Sequence, residues 1–267
     1  AGGQMAPVGP EMLEQAIAKG AIVPWFQPKV NIASKQPVGV DALARWPQSD
    51  RGPIYPDVFI PVAEEYGLID RLTFLMAEQA VASSEQWRKQ GLDLSVAVNV
   101  AMESLCQLDF PERLEALIAR AGSGYGGLQL EVTESQLMAD LVPPLEVLLR
   151  LRLRKIRLSI DDFGTRHSNL SQLRDLPFDE LKLDRSYVTE AADSGRSAAI
   201  LESSIAMAKG LGLSVVAEGV ETLEDWRRVE QMGCDLVQGY FIARPMPASA
   251  IPDWIRFWPE RCDILFD

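Results

Sequence analysis

The sequence contains one histidine, His167, among its 267 residues. A histidine-based zinc site or a Ser-His-Asp triad would depend on it, and no Gly-x-Ser-x-Gly motif accompanies it. The three cysteines, Cys106, Cys234 and Cys262, are odd in number and widely spaced, so they indicate neither a disulfide framework nor a zinc site. Their scarcity favours a reducing, cytoplasmic location.

Long hydrophobic runs are also lacking. No stretch of about 18 uncharged apolar residues occurs, which predicts no membrane span, although 47% of the residues are hydrophobic and can form a large core. The first four residues have neither the basic nor the apolar region of a signal peptide and no initiator methionine. We therefore interpret residues 1–9 as a linker or an engineered remnant and residues 10–267 as one domain.

Basic residues are fewer than acidic residues. The chain has 26 Lys and Arg residues against 38 Asp and Glu residues, for a formal net charge of −12. This balance disfavours a nucleic-acid polymer as a partner, because duplex binding requires a basic surface. A small phosphate ligand is still compatible if bound metal ions neutralise it locally.

Short apolar runs alternate with helical patterns along most of the chain, which predicts an α/β fold, a TIM-like (β/α)8 barrel. We expect roughly eight strands, among them residues 157–163, 180–184, 214–218 and 236–241. Helices are expected between most of the strands, one of them short and near residues 168–174. The first two strands, residues 22–31 and 38–46, are joined by a turn too short for a parallel crossover, so one strand is expected to run antiparallel. Pro28 predicts that the first strand lies at an edge or is irregular.

Many of the predicted strands end in a polar residue that an ordinary core would exclude. Because strand ends gather at one face of such a barrel, these residues are expected to form one ring: Asp41, Asn99, Glu131, Asp161, Asp162, Lys182, Glu218 and Gln238. Asp, Glu and Asn oxygens favour Mg²⁺ or Mn²⁺ over zinc. Two such ions about 3.5–4 Å apart can activate water for attack on a phosphate ester, and a lysine beside them can hold that water or the developing charge.

Each of these motifs also has a simpler interpretation. Asp161-Asp162-Phe163-Gly164 contains the Asp-Phe-Gly triplet of protein kinases, but the chain has no kinase glycine loop or His-Arg-Asp loop. It could instead be a strand that ends in a charged turn. For both aspartates to reach one site, the chain must leave regular strand geometry at Asp162, which Gly164 would permit. Lys182 lies between leucines and must be paired if buried, unless it occupies a solvated edge position.

Taken in order, these segments resemble the EAL domain, a family of cyclic di-GMP phosphodiesterases. The resemblance covers residues 25–247 and rests on these motifs: Phe26-Gln27-Pro28, Asp41-Ala42-Leu43-Ala44-Arg45-Trp46, Phe59-Ile60-Pro61, Val98-Asn99-Val100, Glu131-Val132-Thr133-Glu134, Asp161-Asp162-Phe163-Gly164-Thr165, Lys182-Leu183-Asp184-Arg185, Glu218-Gly219-Val220-Glu221-Thr222 and Gln238-Gly239-Tyr240. It implies a modified TIM barrel with one antiparallel strand. It also implies hydrolysis of cyclic di-GMP to linear pGpG with two Mg²⁺ or Mn²⁺ ions.

The resemblance also implies roles for individual residues. Metal ligands would be Asp41, Asn99, Glu131, Asp161 and Asp162; catalytic residues would be Lys182, Glu218, Glu131 and Asp161. Substrate contacts would come from Gln27, Asp41, Leu43, Arg45, Asp184 and Gln238. Glu134 would anchor the loop after Asp162, which in this family links metal binding to homodimer formation. A regulatory domain ahead of this segment is also expected.

Two positions depart from the family pattern. The signature glutamate is Asp41 here, which is shorter by one C–C bond, about 1.5 Å, whereas metal–ligand distances tolerate only about 0.2 Å. Arg166 stands where the family usually has a glycine. The leading hypothesis is an active phosphodiesterase. A receptor that binds cyclic di-GMP without hydrolysing it, and a partner-binding protein that uses the barrel surface, are the alternatives.

Overall fold

The computed structural model describes residues 8–48, 52–122, 127–133, 142–163, 174, 176–193 and 195–266. Nine strands are found in these ranges: β1 Val23–Asn31, β2 Pro37–Arg45, β3 Ser95–Asn99, β4 Leu128–Thr133, β5 Arg157–Phe163, β6 Glu180–Leu183, β7 Ser214–Ala217, β8 Leu236–Gln238 and β9 Met246–Pro247. The first eight form the barrel wall, and the two-residue β9 pairs with the start of β1. β8 is shorter than the predicted strand over residues 236–241.

The barrel is closed. Its hydrogen-bonded order is β2-β3-β4-β5-β6-β7-β8-β1, and β1 pairs again with β2. β1 is antiparallel to both of its neighbours, while the pairs from β2 through β8 are parallel. The predicted TIM-like (β/α)8 barrel with one antiparallel strand is therefore confirmed.

The structure corrects one expectation for β1. This strand is not at an edge, because it lies between β2 and β8 and closes the barrel. It is irregular, with a register shift between Lys29 and Val30. Pro28 is accommodated because it falls between the segment paired with β9, Trp25–Phe26, and the segment paired with β8, which begins at Lys29. A missing backbone N–H costs little in such a gap.

Helices surround the barrel. Within the described residues they are α1 Pro10–Ala18, α2 Pro56–Glu65, α3 Ile69–Arg88, α4 Met102–Leu105, α5 Phe110–Arg120, α6 Val142–Leu153, α7 Arg185–Asp193, α8 Gly195–Gly210, α9 Leu223–Gln231 and α10 Ile251–Phe266. Sequence patterns predicted most of them but missed α4 and α7, and a helix predicted near residues 168–174 lies almost entirely outside the described residues. In the part of the chain that the structure describes, no helix has the length and apolar character needed to cross a membrane.

The apolar faces of these helices cover the outer face of the barrel. In α3, Leu72, Met76 and Ala80 recur every four residues, and all three are buried. α9 begins with a capping box, in which the Thr222 hydroxyl accepts from the Asp225 N–H and the Asp225 carboxylate accepts from the Thr222 N–H. This helix start follows directly on the segment after β7, so it helps to fix the strand end that carries Glu218.

Candidate active site

The ammonium group of Lys182 is the centre of the candidate site. It lies 2.7 Å from Glu218, 2.9 Å from Asp41, and 3.1 Å from both Glu131 and Asp161. The Lys182 side chain is 3% exposed. A solvated edge position for this lysine is therefore wrong, and the cost of burying its charge is offset by four carboxylates.

Strand geometry explains why these side chains meet. Side chains two residues apart on a strand share a face, and the inward face of every barrel strand points to the same interior. Asp41 pairs with Gln27 on β1 and with Ala97 on β3. The N–H of Glu218 donates to the carbonyl of Leu183, which extends the β6–β7 ladder by one bond and holds Glu218 over Lys182.

The chain leaves regular strand geometry at Asp162, as the sequence predicted. Asp162 has a positive φ of 54°, and the pairing of β5 with β6 shifts register between Ile160 and Phe163. The N–H of Asp162 donates to the Asp161 carboxylate at 3.0 Å. Because aspartate tolerates this left-handed conformation, the bulge turns both carboxylates to one side. Asp161, Asp162 and Glu218 each offer an oxygen within 4.8 Å of the others.

Burial and mutual proximity shift the ionisation of the ring. Burial would by itself raise the pKa of Asp41, but the ammonium groups of Lys182 and Lys29 hold it below its ordinary value. Burial and the nearby Asp41 carboxylate raise the pKa of Glu131 well above its ordinary value. Burial likewise raises the pKa of Glu218 to about 8, and burial together with Asp161 raises the pKa of Asp162 to about 6. The ring thus holds more carboxylates than its lysine can neutralise.

Two carboxylate oxygens of the ring are buried with neither a hydrogen bond nor an ion pair. Within the described ranges these are Oδ1 of Asp41 and Oε2 of Glu131, whereas Oε1 of Glu131 faces the Lys182 ammonium. A buried acceptor left unpaired costs about 1–3 kcal/mol. Divalent cations would satisfy these oxygens, and an all-oxygen donor set suits Mg²⁺ or Mn²⁺. The residues present therefore fit the implied metal ions.

The ring opens into a cavity of about 270 Å³. Its lining includes Gln27, Asp41, Leu43, Asn99 and Gln238, all assigned to substrate or metal by the resemblance. A second cavity of about 250 Å³ shares Leu43 and Asn99 with the first and is also lined by Arg45. Together these cavities bring most of the predicted substrate-binding residues to one end of the barrel.

One predicted site residue lies apart from the two cavities, and another falls outside the described residues. Asp184 lies outside both linings, where its carboxylate accepts the N–H of Ser186 at the start of α7, although it is near enough to contribute to the raised pKa of Asp162. Glu134 lies outside the described residues, as do Gly164 and Arg166.

Sequence reasoning missed three residues that line the first cavity: Arg185, Glu221 and Tyr240. Arg185 pairs with Glu221 at 2.9 Å. Gly219, with φ of 67°, allows this packing, since a Cβ at residue 219 would lie 2.3 Å from the Arg185 side chain. Arg185 and Glu221 follow predicted strands by one and three residues, and Tyr240 lies within the predicted last strand, two residues after Gln238. Attention to the polar residue at each strand end therefore passed over all three.

A second set of missed residues lies deeper in the barrel: Lys29, Gln129, Ser159 and Glu180. All four are buried, and none is at the carboxyl end of its strand. The sequence feature that could have found them is their spacing, because each lies two residues from a ring or cavity residue on the same strand.

Comparisons with known proteins are consistent with this geometry. The EAL domain family model matches residues 10–245. The cyclic di-GMP phosphodiesterase RocR of Pseudomonas aeruginosa is 34% identical over 240 residues, which are 90% of this chain and 61% of RocR. The cyclic di-GMP phosphodiesterase NbdA of the same organism is 37% identical over 247 residues, which are 92% of this chain and 32% of NbdA. This chain therefore spans less than two thirds of either relative.

A solved structure is also similar to this chain. The structure of the PaMucR phosphodiesterase in complex with c-di-GMP superposes with a TM-score of 0.85 at 35% identity, covering 90% of this chain and 98% of that one.

Proposed function

The chain belongs to the EAL domain family, and on that premise we propose that it hydrolyses cyclic di-GMP to linear pGpG with two Mg²⁺ or Mn²⁺ ions. The observation that carries the proposal is the buried ring around Lys182, whose carboxylates outnumber the charge that this lysine supplies. Two relatives bear the name of this activity, and a structural neighbour binds the dinucleotide.

The proposed mechanism assigns a task to each part of the ring. Asp41, Asn99, Glu131 and Asp161 would hold one ion, and Asp161 with Asp162 would hold the second. Bound cations supply Lewis-acid charge at the phosphodiester. Gln27 and Gln238, which line the same cavity, would orient the dinucleotide together with Leu43 and with Arg45 of the second cavity.

Lys182 and Glu218 would handle the proton and the developing charge. The Lys182 ammonium holds the attacking water and stabilises the negative charge that grows on the phosphate oxygens. Glu218, 2.7 Å away, accepts the proton of that water. Its raised pKa falls when cations bind beside it, so the base forms in the loaded site.

A receptor function is the second candidate. It is favoured by Asp41, whose shorter side chain is already engaged by Lys182 at 2.9 Å. If this carboxylate cannot reach a metal ion, the site would bind the dinucleotide without cleaving it. The third alternative, a partner-binding barrel surface, is disfavoured because it does not explain why the carboxylates are buried around Lys182.

We expect the protein to convert cyclic di-GMP to pGpG in Mn²⁺ and to lose at least about a thousandfold of that rate after exhaustive chelation, since the metal ions supply most of the charge stabilisation. Ion-exchange chromatography of the nucleotides measures the conversion, and re-addition of Mn²⁺ is the control. Binding without pGpG would identify a receptor. Hydrolysis that persists unchanged in metal-free protein would refute the proposed mechanism.

We expect Asp41→Glu to raise kcat/KM or Mn²⁺ affinity by up to about tenfold. The glutamate side chain is longer by about 1.5 Å, which brings its carboxylate closer to the metal site. Asp41→Asn is the matched control; it keeps the length and loses the charge, and it should lower both quantities. Steady-state kinetics and calorimetric Mn²⁺ titration give the measurements. A tenfold or greater fall in kcat/KM for Asp41→Glu would mean that the site is adapted to aspartate.

We further propose a homodimer formed near the loop after Asp162, a regulatory domain ahead of this segment in the full-length protein, and a cytoplasmic location. The loop residues Glu134 and Arg166 lie outside the described residues, so the dimer stays a prediction.

A further inference from the structure

A second polar layer lies beneath the ring. It is organised around one oxygen, Oε1 of Glu180, which accepts from Lys29 Nζ at 2.7 Å, from Gln129 Nε2 at 2.7 Å and from Ser159 Oγ at 3.1 Å. All four residues are 1% exposed or less. We refer to Lys29, Gln129, Ser159 and Glu180 as the lower layer.

The lower layer is tied to the ring by strand periodicity. Each of its members lies two residues from a ring or cavity residue on the same strand, so both side chains face the barrel interior. The pairs are Lys29 with Gln27 on β1, Gln129 with Glu131 on β4, Ser159 with Asp161 on β5, and Glu180 with Lys182 on β6. A shift of any of these four strands would therefore move both layers.

The Lys29–Glu180 ion pair spans the barrel. In the closed order of strands, β7 and β8 separate β6 from β1. Glu180 thus connects the antiparallel strand to the three consecutive strands β4, β5 and β6, through side chains alone. On one side of this connection lie Gln27 and, paired with it, Asp41; on the other lie Glu131, Asp161 and Lys182.

The Lys29–Glu180 ion pair is not expected to raise the free energy of unfolding of the barrel. Removing two charges from water costs several kcal/mol per ion, and apolar replacements of such pairs are often neutral or stabilising. Lys29 instead acts on the ring by its charge. Burial would lower the pKa of Lys29, yet the carboxylates of Glu180, Asp41 and Glu131 raise it overall. The same attraction favours the ionised forms of Asp41 and Glu131.

We infer that Lys29 is a positioning residue for the metal site: paired with Glu180, it sets the separation between β1–β2 and β4–β6 and provides a second buried positive charge beneath Asp41 and Glu131. The inference rests on the proposed function. It matters for this chain in particular, because Asp41 has a shorter side chain, and the metal–ligand distance tolerates only about 0.2 Å. Lys29 is completely enclosed and does not line the cavity described above, so it acts through its neighbours.

The test removes both charges and keeps the shapes. In Lys29→Met/Glu180→Gln, residue 180 still accepts from Gln129 and Ser159, so the fold is expected to persist with little change in melting temperature. Mn²⁺ affinity, titrated by calorimetry in the absence of nucleotide, should fall about 10–100-fold, the usual effect of losing a group that orients metal ligands. In addition, kcat should fall while KM for cyclic di-GMP changes by less than about threefold.

A matched control removes an ion pair of the helical layer. Arg113 on α5 and Asp70 on α3 lie 2.6 Å apart, and the Ser104 hydroxyl also donates to Asp70. Arg113→Met/Asp70→Asn loses the same two charges outside the barrel and should keep wild-type Mn²⁺ affinity.

Three results would overturn the inference. The first is that the Lys29→Met/Glu180→Gln variant keeps both its Mn²⁺ affinity and its kcat within twofold of wild type. The second is an equal loss in the Arg113 and Asp70 control. The third is a variant that fails to fold, because the pair would then be a requirement of the barrel itself. A wild-type protein that binds Mn²⁺ but forms no pGpG would refute the proposed hydrolysis, and the Mn²⁺ comparison would still decide the role of Lys29.

Discussion

Asp161→Ala is expected to abolish metal binding and turnover together. Asp161 is proposed to ligate both ions, and its carboxylate also accepts the N–H of Asp162 and thereby supports the bulge. Loss of a residue that only orients a ligand already costs about 10–100-fold, so loss of a shared ligand should weaken Mn²⁺ binding at least about 100-fold. Turnover should fall at least about a thousandfold. Calorimetry and a pGpG assay measure the two effects.

Asp161→Asn separates charge from backbone support, because the amide oxygen can still accept the Asp162 N–H. We expect it to lose turnover nearly as completely as Asp161→Ala. Glu224→Ala, which removes a carboxylate 86% exposed on α9, is the control for net charge and should behave as wild type. Turnover within tenfold of wild type in Asp161→Asn would show that the charge of Asp161 is not required.

Lys182→Ala is expected to lower turnover without weakening metal binding, in contrast to Asp161→Ala. Removing a preorganised donor to the developing charge lowers kcat by about 10²–10³-fold. Cyclic di-GMP affinity, measured on chelated wild type and chelated variant, should change by less than about tenfold. Mn²⁺ affinity should stay the same or rise, because the ammonium that competes for Asp41, Glu131, Asp161 and Glu218 is gone.

Stability gives an independent readout for Lys182. Without its ammonium, four buried or half-buried carboxylates face each other, and loss of one partner of a buried pair typically costs about 3–5 kcal/mol. The melting temperature of Lys182→Ala should therefore fall in chelator and recover in Mn²⁺ more than that of wild type. Lys182→Met controls for side-chain length. Equal and small effects of Asp161→Ala and Lys182→Ala would place both residues outside the chemistry.

The barrel and its polar ring could be predicted from the sequence because both follow from strand patterns. β5 begins and ends at the predicted residues, and a departure from strand geometry at Asp162 was expected from two adjacent acids. The lower layer could not be found by looking at strand ends, since Gln129, Ser159 and Glu180 stand at the starts or middles of short strands. Their partners come from strands far away in the sequence, so only tertiary structure shows that their polar groups are satisfied.

Tertiary packing also overrode local propensity at the two ends of the chain. Pro28 predicted that β1 lies at an edge or is irregular; the strand is irregular, yet it closes the barrel. Pro259 lies inside α10, where proline removes a backbone hydrogen bond, yet the helix continues to Phe266. Trp258 beside it is buried and donates its ring N–H to the Lys35 carbonyl at 2.7 Å, which anchors the helix at this point.

The β1–β8 pairing has a consequence for how the protein folds. It joins Lys29, Val30 and Asn31 to residues more than 200 positions later in the chain, through three residue pairs. Contacts so distant in sequence form late, after the entropy of closing a long loop has been lost. During synthesis, Gln27 and Asp41 leave the ribosome well before Gln238. A nascent or truncated chain that lacks β8 would hold most of the acidic residues without an enclosed ring, so competence to bind metal should arise in the last step of assembly.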